Sequence, residues 1–385
     1  MTGSQPKTFL VFTASYGQGH NRASEALAQT LQRLHPEGQV KIIDFLAEAY
    51  PRLNSVAQSL YLRSIKSTPH LYGQWYKQTD VLSSYPFLSR NAHRYLGREK
   101  MMEILATYRA DAVICTFPFP AGLLSELKGM GKLNIPLATV ITDYVLHRQW
   151  IQPNTDLYFV ATDWLKETLI KHGVAPEKIH VTGIPVHEQY SVPYDQQQLR
   201  KAYGLDPELP TLLVMGGAYG NLPGIKKICR YLAYQDHPIQ LLIICGKNEP
   251  LKKQLEEELQ EASHPIRLFG YVTYGHELTA AADIVITKAG GLTVSESLAI
   301  GRPLIIYRPI PGQEKGNTQF LTSAGAAISA ENWTQFQESI ERLLASPETL
   351  KKMGEMAKRL GRPHAARDIA EMMIRMAHEQ AMTHS

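Results

Sequence analysis

Residues 14–20 (ASYGQGH) combine two glycines with a histidine, between an apolar stretch and a helical pattern. Glycines let a backbone approach a ligand closely, and the free N–H groups at a helix start attract anions. Because α/β sheets place reacting groups at the carboxyl ends of their strands, His20 is a candidate general base. The alternative is a histidine that only caps the helix. Arg22 stands where a dinucleotide fingerprint needs a third glycine, which disfavours NAD and FAD as ligands.

Residues 287–296 (TKAGGLTVSE) form the most informative pattern for a phosphate-containing ligand. Here an apolar strand ends, a glycine pair turns the chain, and a helix begins whose N–H groups and dipole favour an anion. Glu296 would lie one turn inside that helix, where its carboxylate could accept hydrogen bonds from both hydroxyls of a ribose. The alternative for Glu296 is a buried helix cap. The pattern as a whole favours a nucleotide diphosphate.

Three further segments are less specific. Residues 216–220 (GGAYG) either cradle a phosphate or form a tight turn. Residues 309–317 (PIPGQEKGN) either offer paired donors and acceptors to sugar hydroxyls or form an ordinary polar loop. In residues 142–150 (TDYVLHRQW), Asp143 could orient a histidine or a sugar hydroxyl, and Trp150 could stack on a sugar or a lipid. A strand-end cap and a core tryptophan are the alternatives.

Metal and disulfide chemistry are not expected. The sequence has no HExxH, DxD or CxxC pattern and no GxxxxGK[ST], so neither a catalytic metal nor a P-loop ATPase site is predicted. The three cysteines are an odd number and fit a reducing cytosol. We therefore expect no required cofactor.

Short apolar runs alternate with helical stretches, which predicts parallel sheets in an α/β protein. The length of 385 residues suits two domains, each with its own doubly wound core, separated by a polar linker at 187–200. The tail after residue 361 should be helical. The predicted strands are 8–13, 40–45, 112–116, 137–142, 157–160, 180–184, 211–215, 240–245, 266–269, 283–287 and 304–307.

Charge is unevenly distributed along the chain, whose net charge is +4. Residues 51–100 hold eight Lys or Arg and two acidic residues, a balance of +6, interleaved with tyrosines and Trp75. Such a segment suits an anionic membrane interface, and the alternative is a solvated helical insertion with inward tyrosines. No apolar run approaches the roughly 18 to 20 residues of a membrane span, and no signal peptide is recognised at the N-terminus. We expect a peripheral protein at the cytoplasmic face of the cell membrane.

Several stretches together resemble a known family. They are TASYGQGHNRAS, ICTFPFP, VITDYVLHRQW, YFVATD, TGIPV, MGGAYG, CGKN, FGYV, ITKAGGLTVSES and PIPGQEKGN. In this order they resemble the monogalactosyldiacylglycerol synthase and processive diacylglycerol glucosyltransferase group of inverting GT-B glycosyltransferases. The LHRQW and CGKN details are most similar to the bacterial glucosyltransferase branch. The galactosyltransferase branch usually has proline and then glycine where Gly291 and Leu292 stand, which weakens the galactose alternative.

The resemblance implies a GT-B fold, with two facing Rossmann-like domains and an interdomain cleft. Residues 1–190 would bind the lipid acceptor, 191–362 would bind the UDP-sugar, and a helix in 363–385 would cross back to the first domain. It also implies that His20 is the base and that Asp143 is an acid in the same cleft. The residues expected to bind the UDP-sugar are Gly19, Gly216, Gly217, Gly246, Val272, Gly290, Gly291, Leu292, Thr293, Glu296, Gln313, Glu314 and Asn317. Those expected at the acceptor or the membrane are His147, Trp150, Arg63, Lys66, Trp75, Lys77, Arg90 and Arg94.

The function expected from these observations is transfer of glucose from UDP-glucose to 1,2-diacylglycerol, with inversion to a β link. Processive addition to glucosyl-diacylglycerol is implied by the resemblance alone. The expected partners are the UDP-sugar, the lipid and an anionic membrane surface, and not nucleic acid. The alternatives are a galactosyltransferase of the same group, a glycosyltransferase of an undecaprenyl-type lipid precursor, and a non-catalytic nucleotide-sugar sensor. The joint presence of His20, Asp143 and Glu296 disfavours the sensor.

Overall fold

The computed structural model describes residues 6–15, 18–51, 54 and 91–383. The chain divides into two compact units. The first consists of Met1–Glu188, Ile310–Gln313 and His364–Ser385, and the second of Gln189–Pro309 and Glu314–Pro363. Each unit is built around a six-stranded sheet.

The sheet of the first unit is parallel and has the strand order β2-β1-β3-β4-β5-β6. Its strands are β1 Thr8–Thr13, β2 Gln39–Asp44, β3 Ala112–Cys115, β4 Leu137–Val140, β5 Leu157–Val160 and β6 Ile179–Val181. The helices that connect them are α1 Gln18–Leu34, α2 Phe45–Ala49, α3 Asn91–Tyr108, α4 Pro118–Gly129 and α5 Asp163–Lys171, with short 3-10 turns at Arg148–Trp150 and Pro176–Lys178.

Strand β1 is apolar on both faces because it lies inside a sheet that helices cover on both sides. Leu10 and Phe12 pack into the cluster on one face of the sheet. Phe9 and Val11 pack into the cluster on the other face. The continuous apolar run of this strand therefore reflects burial on two faces.

The second sheet is also parallel and has the order β12-β11-β10-β7-β8-β9. Its strands are β7 Thr211–Met215, β8 Gln240–Ile244, β9 Ile266–Phe269, β10 Ile284–Thr287, β11 Leu304–Tyr307 and β12 Ala327–Ala330. The helices are α6 Gln196–Ala202, α7 Ile225–Ala233, α8 Glu249–Glu258, α9 Gly275–Ala281, α10 Gly291–Ile300, α11 Gln313–Ser323, α12 Trp333–Ala345 and α13 Pro347–Leu360. The direction of winding reverses between β7 and β10, and such switch points are where open α/β sheets bind ligands.

The last helix, α14 Ala365–Thr383, belongs to the first unit although the second unit precedes it in the chain. Its Ile369 and Met373 are fully buried in the same cluster as Phe9 and Val11 of β1. The helix also packs along α1. In this way the C-terminus completes one face of the first sheet.

The predicted alternation of strands and helices is confirmed, and β1, β5, β7, β9 and β11 have the predicted bounds. Two other features differ. Strand β12 was not predicted, because its sequence AISA is short and has one aliphatic side chain larger than alanine. The predicted linker at 187–200 contains a 3-10 turn, Glu188–Ser191, and the beginning of α6. Most of the predicted helical insertion at 51–100 lies outside the described residues.

Among the helices that the structure describes, none combines the length and the apolar character needed to span a bilayer.

Candidate active site

His20 lies in the first turn of α1, which begins at Gln18, and not in the loop that the sequence predicted. Thr142 follows the carboxyl end of β4 by two residues. The hydroxyl oxygen of Thr142 is 2.9 Å from Nδ1 of His20. The carboxyl ends of β1, β3 and β4 lie side by side in the sheet, which brings residues so distant in sequence into contact.

The start of α1 is fixed by a chain of hydrogen bonds. The Thr13 hydroxyl donates to Oδ1 of Asn21, and Nδ2 of Asn21 donates to the Ser15 hydroxyl, each at 3.0 Å. The backbone N–H of Ser15 donates to Asp44 at the end of β2 (2.9 Å). One turn after His20, the Ser24 hydroxyl is 2.8 Å from that of Thr116. These bonds hold the histidine-bearing turn in a defined position.

Aromatic side chains surround the imidazole of His20. The Phe117 ring meets it edge-on at a centroid distance of 5.3 Å, and the Trp150 ring lies 6.4 Å away. Burial lowers the pKa of His20 to about 4, although a hydrogen bond with the Thr116 backbone acts in the opposite direction. His20 is therefore neutral at pH 7 and has one ring nitrogen able to accept a proton.

The other predicted residues of this segment are buried. Asp143 is 8% exposed, and Trp150 is 3% exposed. His147 is buried as well, and its Nδ1 accepts a 3.3 Å hydrogen bond from the Gln149 N–H at the 3-10 turn. The side chain that bonds to His20 is Thr142, the neighbour of Asp143. Roles for Asp143 in catalysis and for His147 and Trp150 in acceptor binding stay predictions.

In the second unit, the predicted glycines of two loops pack against each other at the carboxyl ends of β7 and β8. Gly217 has a φ of +69° and Gly246 a φ of +61°, the left-handed region that favours glycine. A Cβ atom on Gly246 would lie 2.4 Å from the Gly217 carbonyl oxygen, so a side chain cannot be accommodated there. A Cβ atom on Gly216 would likewise lie 2.7 Å from Cα of Gly220. The glycines thus allow two backbone loops to meet.

Lys288 joins this glycine pair to the next loop. It follows the carboxyl end of β10, and a Cβ atom added to Gly217 would lie 3.8 Å from its Cε atom. Its ammonium group is 3.1 Å from Oε1 of Glu314, a carboxylate whose side chain is 8% exposed. Nearby, Nδ2 of the fully buried Asn317 donates to the Ala289 carbonyl (3.0 Å). Glu314 and Asn317 therefore position the loop before α10.

Helix α10 begins at Gly291, with Gly290 as its N-cap residue. Among the described residues other than Gly290 and its chain neighbours, no atom lies within 4 Å of a Cβ built on Gly290, so the backbone there has space beside it. Leu292 is buried, Thr293 is half-buried, and Glu296 is 2% exposed one turn into the helix. Val272, after β9, is half-buried, and Gln313 is the first residue of α11.

The remaining predicted residues are outside the described ranges or lie on α1 and α3. Arg63, Lys66, Trp75, Lys77 and Arg90 lie outside the described residues, and Arg94 lies on α3. Gly19 lies beside His20 on α1. Within the ranges that the structure describes, no cluster of His, Cys, Asp or Glu side chains could hold a metal ion.

Sequence reasoning did not single out Thr142, Phe117 or Lys288. Thr142 and Phe117 each follow a buried strand by two residues, and Lys288 follows one directly. Position at a strand end was the signal that pointed to Asp143, and the same signal applies to its neighbour Thr142.

Family models and curated relatives match nearly the whole chain. The family model for monogalactosyldiacylglycerol (MGDG) synthase matches residues 20–186, and that for the glycosyltransferase family 28 C-terminal domain matches residues 211–371. A processive diacylglycerol beta-glucosyltransferase of Bacillus licheniformis is 35% identical over 93% of this chain and 91% of its own. Its namesake in Bacillus subtilis is 34% identical over 96% and 95%.

Solved structures with little sequence similarity share the fold. MurG of Acinetobacter baumannii superposes with a TM-score of 0.66 at 16% identity, over 96% of this chain and 100% of that one. The glycosyltransferase SnogD of Streptomyces nogalater gives 0.61 at 16% identity, over 97% and 100%. The predicted GT-B fold is therefore confirmed. Together, the matches along nearly the whole sequence establish that the chain belongs to the family of the processive diacylglycerol beta-glucosyltransferases and monogalactosyldiacylglycerol synthases, which are glycosyltransferases of glycolipid synthesis.

Proposed function

We propose that this protein transfers glucose from UDP-glucose to the free hydroxyl of 1,2-diacylglycerol, with inversion to a β-glucoside. The observation that carries the proposal is the grouping of Gly217, Lys288 and the start of α10 at one edge of the second sheet. A glycine turn, a lysine and a helix N-terminus each favour a phosphate, and their combination suits a diphosphate. The names of the Bacillus relatives support diacylglycerol as the acceptor and glucose as the sugar.

The second unit would bind the donor. Lys288 and the N–H groups of Gly291 and Leu292 would stabilise the negative charge that grows on UDP as the sugar–phosphate bond breaks. Glu296 would accept hydrogen bonds from the ribose hydroxyls. Gly216, Gly246, Val272 and Thr293 would line the nucleotide. Gln313, Glu314 and Asn317 would contact or position the sugar and the diphosphate.

The first unit would activate the acceptor. His20, which is neutral at pH 7, would take the proton of the lipid hydroxyl as that oxygen attacks the anomeric carbon. A positioned general base contributes about 10²- to 10⁴-fold to a rate. Asp143, in the same unit, would assist His20 in this proton transfer. His147 and Trp150 would contact the acceptor.

The lipid acceptor implies contact with a membrane. Residues 51–100 carry a charge of +6, which favours an anionic bilayer surface. The protein would then act peripherally, at the cytoplasmic face. We also propose that glucosyl-diacylglycerol serves as the next acceptor, because the Bacillus relatives are named processive enzymes.

A galactosyltransferase is the second candidate, because the MGDG synthase family model matches residues 20–186. The test is incubation of the purified protein with diacylglycerol vesicles and either UDP-glucose or UDP-galactose. Lipid products are separated by thin-layer chromatography and identified by mass spectrometry, and NMR of the anomeric proton gives the stereochemistry. We expect β-glucosyl-diacylglycerol, followed by diglucosyl product.

One variant and the identity of the products separate the proposed function from its alternatives. His20→Ala should lower kcat at least about 10-fold with little change in KM for UDP-glucose. Galactolipid with UDP-galactose and no product with UDP-glucose would establish the second candidate instead. Product only on an undecaprenyl-type lipid would move the acceptor to another class. Binding of UDP-glucose without product on any lipid would indicate a sensor.

A further inference from the structure

We propose that Thr142 is the positioning residue of His20, and that its hydroxyl holds Nδ1 so that Nε2 is the proton acceptor. The inference rests on the proposed function for its consequences in catalysis. It does not depend on the identity of the sugar. In histidine–aspartate pairs a carboxylate orients the imidazole and fixes its tautomer. Here the neutral hydroxyl of Thr142 would perform that task.

The contact is well placed for this task. The Thr142 hydroxyl is 2.9 Å from Nδ1, within the range of a good hydrogen bond, and Thr142 is 6% exposed. The preceding residue, Ile141, still donates its N–H to Phe159 of the neighbouring strand at 2.9 Å. The hydroxyl is therefore carried by backbone that continues the hydrogen bonding of the sheet.

The ring of His20 has little freedom to turn away from that hydroxyl. The Phe117 ring is roughly perpendicular to it at 5.3 Å between centroids, and the tilted Trp150 ring lies 6.4 Å away. His20 itself belongs to a helical turn fixed by Asn21 and Ser15. Packing thus restricts the ring orientation, and the contact with Thr142 identifies Nδ1 as the nitrogen that faces the hydroxyl.

The chemistry requires one of two possible proton arrangements. A neutral imidazole carries one N–H and one lone pair, so either Nδ1–H donates to Thr142 or the Thr142 hydroxyl donates to Nδ1. Only the first leaves the lone pair on Nε2, and it requires that the hydrogen bond of the ring with the Thr116 backbone is also made by Nδ1–H. The Thr142 oxygen then accepts from Nδ1–H before and after proton transfer.

The complete step balances with these groups alone. The acceptor oxygen forms a bond to the anomeric carbon while its proton moves to Nε2. The bond between that carbon and the phosphate oxygen breaks, and its electron pair leaves with UDP. The imidazolium keeps its Nδ1–H bond to Thr142 and releases the Nε2 proton to water after the products leave. A neutral hydroxyl stabilises this cation less than a carboxylate would.

Two substitutions of similar size separate a positioning role from a packing role. Thr142→Val keeps the methyl group and the shape and removes the hydroxyl, whereas Thr142→Ser keeps the hydroxyl and removes the methyl group. We expect Thr142→Val to lower kcat about 10-fold or more with KM for UDP-glucose unchanged, and Thr142→Ser to stay within about 3-fold of the parent. A packing role predicts the reverse order, with serine the weaker variant, and would overturn the proposal.

A spectroscopic readout tests the tautomer independently of activity. In the protein labelled with ¹⁵N-histidine, the His20 signals, assigned by their loss in His20→Gln, should show a protonated Nδ1 and an unprotonated Nε2 at pH 7. The opposite tautomer in the parent protein would overturn the proposal, even if Thr142→Val failed to fold.

The outcomes also separate this inference from the proposed function. Absence of glycosyl transfer by the parent protein would refute the function and leave the tautomer measurement as the test of Thr142. Full activity of Thr142→Val beside an inactive His20→Ala would refute the role of Thr142 and leave the function intact.

Discussion

The ammonium group of Lys288 lies 3.1 Å from the carboxylate of Glu314, and this ion pair joins the loop after β10 to the first turn of α11. The carboxylate is nearly buried and the lysine is about one-third exposed. A buried anion therefore holds a partly accessible cation beside Gly217. This places a positive charge at the switch point of the second sheet, where a diphosphate is proposed to bind.

We predict that Lys288→Ala weakens binding of UDP at least about 10-fold, because a charge-assisted hydrogen bond to phosphate is lost. Isothermal titration calorimetry with UDP measures the effect, and a melting curve shows whether the protein is still folded. Lys352→Ala is the matched control, because Lys352 also pairs with a glutamate, Glu348 at 2.7 Å, but on α13. Equal affinity of both variants for UDP would exclude Lys288 from the donor site.

We predict that Glu296→Gln also weakens UDP binding while the fold is retained. The amide keeps the shape of the side chain, but it cannot act as a charged acceptor for two ribose hydroxyls. Replacement by alanine should cost on the order of 2 to 4 kcal/mol, and replacement by glutamine less. Uridine and the free base uracil serve as competing ligands: the loss should appear with uridine and not with uracil. An equal loss with both would place Glu296 away from the ribose.

The two sites show how far sequence alone could lead. The glycine loops were predictable because left-handed φ angles and close backbone contacts leave few alternatives to Gly217 and Gly246. The hydrogen-bond partner of His20 was not predictable. Asp143 and Thr142 are adjacent, and the path of the chain after β4 determines which of the two side chains reaches His20. Lys288 was part of a predicted segment, but its contact with Glu314 spans 26 residues and depends on strand order. The periodicity of apolar residues predicts helices and strands, but it does not show which residues distant in sequence are in contact.

The low pKa of His20 predicts a specific dependence of stability on pH. The ordinary value for histidine is 6.5, and burial lowers that of His20 to about 4. Between these values the unfolded chain binds a proton that the native protein does not, so stability rises with pH across this window and is lost as the pH falls. The contribution is on the order of 3 kcal/mol at pH 7, and it disappears below about pH 4.

The measurement compares the free energy of unfolding in urea for the parent and for His20→Gln at pH 7, 6, 5 and 4.5. The parent should lose stability faster than the variant as the pH falls. Burial also lowers the pKa values of His35 and His180, but both proteins contain these residues, so the difference isolates His20. Parallel curves for the two proteins would mean that His20 titrates near its ordinary value.

The last prediction concerns the basic residues at 51–100. This segment has a charge of +6, whereas the whole chain has a net charge of +4. An enzyme that uses diacylglycerol must reach a substrate that is dissolved in a bilayer. Each basic residue near an anionic surface contributes roughly 1 kcal/mol, and the aromatic side chains among them could add apolar burial. Binding should therefore strengthen with anionic lipid. It should weaken with salt, because the Debye length falls from about 10 Å at 0.1 M to about 3 Å at 1 M.

Charge reversal provides the direct test of this segment. Replacement of Arg63, Lys66, Lys77, Arg90 and Arg94 by glutamate should release the protein from anionic vesicles in a sedimentation assay. The matched control is reversal of five exposed lysines elsewhere, which are Lys171, Lys201, Lys253, Lys351 and Lys358. Both variants change the net charge by the same amount, so a difference between them reports position and not total charge. Activity on detergent-dispersed diacylglycerol should survive in the first variant, because the residues proposed to bind UDP-sugar lie in other segments. Equal vesicle binding of the first variant and the parent would leave the segment with the role of a solvated insertion.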